Sequence, residues 1–120
     1  MSPAIWLAVA LLGGLGALAR WFVDGLVSAR VHHGFPYGIL AVNLSGAVAL
    51  GLVAGAALEG DARRLAATGF LGAYTTFSTW MLDSDRLWLQ RRRTAAAVNV
   101  AGSLALGLAA VWLGQLVAAL

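Results

Sequence analysis

The 120-residue chain contains no cysteine. Disulfides, thiolate zinc sites and thiol nucleophiles are thereby excluded, and the redox character of its compartment leaves no mark. Lysine is missing too: all 8 cationic side chains are arginines. Charge of either sign is scarce, with 11% charged residues against 61% hydrophobic ones, where an average soluble domain has about 25% and about 45–50%. So few charges cannot coat a globule, and so much apolar surface cannot hide in one. This argues against a soluble enzyme and excludes disorder. The net charge is only +3. A nucleic-acid binder would show a basic face on a soluble fold. Here the arginines punctuate long uncharged runs, which is the pattern of membrane topology. No nucleic-acid partner is expected.

What is present is apolar sequence in span-sized blocks. Residues 1–19, 31–58, 65–82 and 94–120 carry no charged side chain. A membrane helix needs about 20 predominantly apolar residues. The sequence therefore predicts an all-α membrane protein of one domain (1–120) with four transmembrane helices, about 4–23, 36–57, 65–84 and 96–118. Short connections make neighbouring helices antiparallel. The alternative for the first block is a signal peptide ending at Ala17-Leu18-Ala19, but a basic n-region is lacking. Pro36 suits the first turn of the second helix. Trp6, Trp21, Trp88 and Trp112 fall near span ends, as an interfacial belt requires.

Arg30, Arg86, Arg91, Arg92 and Arg93 lie on one side of these spans and Arg63 and Arg64 on the other. That bias puts the arginine-rich side in the cytoplasm and both termini outside. The Arg91–Arg93 run reads as an anchor to anionic headgroups. Four thin helices cannot enclose a water-filled pore alone, although they can pack with a second copy. Asn43, Ala47, Gly51 and Gly55 form a small-residue stripe, and Asn99, Ser103 and Gly107 another. Such stripes let backbones approach, between subunits or within one. A buried amide in lipid needs a partner or water, so Asn43 and Asn99 read equally as interhelical bonds or as pore lining.

The third span, GFLGAYTTFSTW over 69–80, holds hydroxyls at Thr75, Thr76, Ser78 and Thr79. Two glycines and adjacent β-branched residues weaken a helix here. A break at membrane depth is tolerated where protein buries it or it lines a cavity, and freed carbonyls there can coordinate a cation. The alternative is an unbroken helix whose hydroxyls bond back to the preceding turn. Enzyme constellations are missing. His32 and His33 are adjacent in a loop, which favours a solvated pair over a metal site. Asp83, Asp85 and Arg86 form a charged rim, and Arg20 and Asp24 are spaced to pair.

GGLGALARW in the first span, VNLSG in the second and GFLGAYTTFSTW in the third resemble the Fluc (CrcB) family of fluoride channels. The likeness runs in order over nearly the whole chain. The resemblance implies an antiparallel, dual-topology dimer with two fluoride pathways and with the third helix broken near its middle. It implies a structural sodium ion at the dimer centre, not transported, held by backbone carbonyls that map to Gly72 and Thr75. It maps the pathway to Asn43, to the ring positions Phe77 and Trp80, to the hydroxyls of Thr76, Ser78 and Thr79, and to Asn99 and Ser103. Asp83, with Arg20, maps to the pore entrance. Trp80 replaces a family phenylalanine, and its N–H adds a donor. Ala73 replaces a glycine, and Asp83 a glutamate.

The chemistry fits such a channel. Fluoride is small and strongly hydrated, so amide and hydroxyl donors must replace its water. Aromatic edges are electropositive, and a fixed cation raises the local potential for anions. The implied function is passive export of fluoride across a bacterial cell membrane, without enzymatic activity. Two alternatives stand beside it. A small multidrug-type, proton-coupled transporter would need a carboxylate inside a span, and the first three spans have none at mid-depth. A non-conducting partner subunit of a paired channel would pass no anion. The arginine bias also admits a related subunit, in place of a second inverted copy, as the dimer partner.

Overall fold

A computed structural model describes residues 1–31 and 34–120; His32 and His33, the solvated pair expected from the sequence, lie outside the described residues. The order is α1 (Pro3–Arg30), α2 (Tyr37–Gly55), α3 (Gly60–Arg63), a π-helical segment (Arg64–Leu71), α4 (Gly72–Tyr74), α5 (Phe77–Leu89) and α6 (Arg93–Ala118). Among the described residues there is no strand, and three helices, α1, α2 and α6, are long and apolar enough to cross a membrane. The chain is a multi-pass, all-helical membrane protein.

Each long helix begins where its sequence allows. Ser2 caps α1, its Oγ accepting from the Ile5 N–H at 3.3 Å, with Pro3 at the first position. A proline is tolerated there because its missing N–H would have had no helical partner. α1 outruns the expected span of 4–23 and ends at Arg30. Arg20 and Asp24 end the apolar run without ending the helix, since neither side chain breaks the backbone ladder. The expected Arg20–Asp24 pair does not form; Asp24 accepts from Ser28 Oγ at 3.2 Å instead. Pro36 sits just before α2 rather than inside its first turn, and its carbonyl accepts from the Leu40 N–H.

The region expected as one third span, 65–84, is not one continuous α-helix. Its first part winds as a π-helix, and Thr75 and Thr76 then take extended backbone angles between α4 and α5. Packing around it depends on small residues. Gly16 of α1 lies against the Phe70 carbonyl, and Gly46 of α2 against the Thr75 methyl. Val42, fully buried, forms the core with Leu71 and Tyr74. α2 and α6 cross where Gly51 faces the Val111 carbonyl and Gly114 faces the Val48 carbonyl. A side chain at either position would hold the two backbones apart. The stripe's Gly51 and Gly55 are thus used inside the subunit, against α6. Outward faces are apolar: Trp6, Trp21, Trp88 and Trp112 are all exposed, as a lipid-facing surface permits.

Candidate functional site

The interruption at Thr75 and Thr76 is built by three side chains. Thr75 Oγ1 donates to the Leu71 carbonyl at 3.0 Å, the carbonyl its own N–H also reaches. It thereby closes off the end of α4. Thr76 Oγ1 accepts from the Thr79 N–H at 3.2 Å and so caps α5, which is the ordinary role of threonine at a helix start. The third side chain comes from α2. Asn43 Oδ1 accepts from the Thr76 N–H, and Asn43 Nδ2 donates to the Thr76 carbonyl, both at 2.9 Å. One amide thus satisfies both backbone groups of the residue most exposed to loss of helical bonding.

This arrangement has a consequence for two carbonyls. In a continuous helix the Thr76 N–H would donate to Gly72 and the Thr79 N–H to Thr75. Here the first goes to Asn43 and the second to Thr76 Oγ1. The Gly72 and Thr75 carbonyls are left without those donors.

A cavity of about 380 Å³ lies against the interruption. Its wall includes Asn43, Gly72, Thr75, Thr76, Phe77, Trp80 and Ser103, and apolar residues such as Leu50, Leu71, Leu104 and Leu108 complete it. The sites expected on three separate spans therefore meet at one place. Phe77 is 70% exposed, and its ring stands at 88° to that of Trp80 with centroids 5.6 Å apart. The edge of one ring meets the face of the other, the favoured arrangement for aromatic quadrupoles.

The remaining expected residues fall around this wall. Ser78 and Thr79 are hydrogen-bonded to Thr76 Oγ1, at 3.4 and 3.2 Å, and do not line the cavity. Asn99 is buried, 2% exposed, and also stands behind the wall. The indole N–H of Trp80, expected as a donor for the anion, donates to the Asn99 carbonyl at 2.9 Å instead. Trp80 faces the cavity with carbon, because a buried indole donor takes the nearest fixed acceptor. Asp83 borders a second cavity of about 220 Å³ with Gly34, Pro36, Arg86 and Gln90, and lies 3.7 Å from Arg86. Arg20 borders neither cavity.

Two participants escaped sequence reasoning. Ser84 accepts from Asn99 Nδ2 at 2.8 Å and donates to the Trp80 carbonyl at 2.9 Å; its spacing of four from Trp80 was the available signal. Ser45 bonds the Tyr74 hydroxyl at 2.9 Å, which ties α2 to α4 beside the interruption.

Comparison with known proteins finds relatives over nearly the whole chain. A family model described as CrcB-like protein, Camphor Resistance (CrcB), matches residues 7–115. The chain is 52% identical over 118 residues to the fluoride-specific ion channel FluC 2 of Mycobacterium bovis, covering 98% of this chain and 94% of that protein. It is 42% identical over 127 residues to the fluoride-specific ion channel FluC 1 of Leifsonia xyli, covering 99% and 93%. Against the fluoride-specific ion channel FluC of Geobacter metallireducens it is 44% identical over 116 residues, covering 92% and 94%.

Proposed function

Because the chain belongs to the CrcB-like family, we propose that it is a fluoride-selective passive channel. The observation that carries this reading is the convergence of Asn43, Thr76, Phe77, Trp80 and Ser103 on one cavity beside an interrupted helix. Small donors and aromatic edges can replace the water of a compact anion. A larger halide gains less from the same fixed donors. The third span is a membrane-crossing helix broken at Thr75–Thr76, and the break is kept open by Asn43.

The working unit is an antiparallel dimer, with a second inverted copy closing the open cavity. Phe77 supports this: its ring is 70% exposed on the wall of the open cavity, where an inverted second copy would enclose it. The residues that would hold a structural sodium ion at the dimer centre are Gly72 and Thr75, through their backbone carbonyls. Those carbonyls fit the ion: they are hard neutral oxygens that the local hydrogen bonding has released, and unwound carbonyls are the usual sodium donors in membranes. The ion would supply positive potential near the pathway, while the protein residues supply the donors. Asp83 and Arg86, beside the second cavity, set the charge near the mouth.

The location is a bacterial inner membrane, and the direction is outward. An inside-negative potential drives an anion out at about 2.3 kcal/mol per charge per 100 mV, so no energy-coupling site is required. Fluoride efflux from liposomes carrying the purified protein, against chloride, tests the reading; equal passage of both ions defeats it.

A further inference from the structure

Trp80 is tied to Asn99 by a closed ring of hydrogen bonds. The Trp80 Nε1–H donates to the backbone carbonyl of Asn99 at 2.9 Å, Asn99 Nδ2 donates to Ser84 Oγ at 2.8 Å, and Ser84 Oγ donates to the backbone carbonyl of Trp80 at 2.9 Å. Both Asn99 and Ser84 are buried. A fourth bond, from Ser103 Oγ to Asn99 Oδ1 at 3.4 Å, links this ring to the cavity wall. The indole nitrogen is a donor only, and fluoride is a strong acceptor. An indole N–H free in the pathway would hold the ion tightly, whereas conduction needs sites weak enough to leave.

We propose that Asn99 and Ser84 are positioning residues for Trp80: the bond between their side chains holds α5 on α6 so that the backbone carbonyl of Asn99 takes the indole N–H, which leaves only the carbon edge of the ring for the anion. This rests on the fluoride-channel reading above and assigns Asn99 to the support of the pathway rather than to contact with fluoride. Trp80 then serves as a larger phenylalanine, and Asn99 with Ser84 makes that substitution workable. Ser103 keeps its hydroxyl available, because its bond to Asn99 is the longest of the set and the most readily given up.

The test is a double-mutant cycle read by liposome fluoride efflux. In the Trp80 channel, S84A lowers the rate about fivefold or more, within the coupling range of residues in one hydrogen-bond network. S84T, which keeps the hydroxyl, restores it. In a W80F background S84A has no effect, because no indole remains to be held. An equal loss in both backgrounds overturns the proposal, and so does no loss in either. A second readout needs no variant at the ring. With Trp6, Trp21, Trp88 and Trp112 replaced by Phe, the indole ¹⁵N–¹H resonance of Trp80 stays unmoved and protected from exchange as fluoride is added; a fluoride-dependent shift of that proton overturns the assignment. Lack of flux in the wild-type channel would refute the function itself, while the indole signal would still report on the hydrogen-bond ring.

Discussion

Replacing Asn43 should close the channel by repairing a helix. Asn43 supplies both partners of Thr76, at 2.9 Å each. Thr76 is itself buried. In N43A the Thr76 N–H is left unpartnered, which costs about 1–3 kcal/mol in an open break, while the Thr76 carbonyl, as the N-cap of α5, keeps the first bond of that helix. The chain has a less costly alternative. The Thr76 N–H can return to the Gly72 carbonyl, which recovers one bond and winds the third span through the break. Stability then falls by only the lower part of that range, and fluoride efflux falls to background. N43D separates the two bonds: its carboxylate still accepts from the Thr76 N–H but repels the Thr76 carbonyl, and an intermediate loss of both stability and flux is expected. Thermal unfolding in detergent and fluoride-electrode recording of liposome efflux measure the two quantities. Full efflux with an unchanged midpoint in N43A would refute the proposition that this amide holds the break open.

Other expectations are as direct. G51L should destabilise the fold by about 1–3 kcal/mol, the range for overpacking, since the Val111 carbonyl lies against Gly51; G107A, where nothing lies within 4 Å, should leave the thermal midpoint unchanged, and equal midpoints for both variants would contradict the described crossing. F77I should lower fluoride flux severely while dimers still form on size exclusion; normal flux would remove that ring from the pathway. T75A should retain sodium binding, measured by sodium-dependent flux, because a carbonyl and not the hydroxyl is the donor; lost dependence would show that the hydroxyl is required.

The parts of this fold legible in the sequence were those set by local composition. α1, α2 and α6 follow from charge-free runs. The extra turns of α1 beyond residue 23 were hidden because Arg20 and Asp24 end the apolar stretch, and helical propensity persists past a change in polarity. For the third span, glycines and β-branched threonines marked a weak helix but left the choice open between broken and unbroken. At Thr76 both backbone groups bond to an amide 33 residues away, and no window of sequence contains both. The same holds for Trp80: from sequence its N–H was an available donor, and only the packing of α5 on α6 brings the Asn99 carbonyl to it. The family resemblance put both Ser103 and Asn99 on the pathway; Ser103 lines the cavity, whereas Asn99, one turn earlier, lies behind the wall, because α6 faces the cavity only in part.

The central claim is that side-chain donors and aromatic edges around the Thr75–Thr76 interruption pass a small anion selectively. Fluoride and chloride efflux from the same proteoliposomes, with N43A measured alongside, addresses it most directly. The account predicts rapid fluoride loss, chloride retained, and fluoride loss at background in N43A. Chloride passing as readily as fluoride, or fluoride passing unimpeded through N43A, would contradict it.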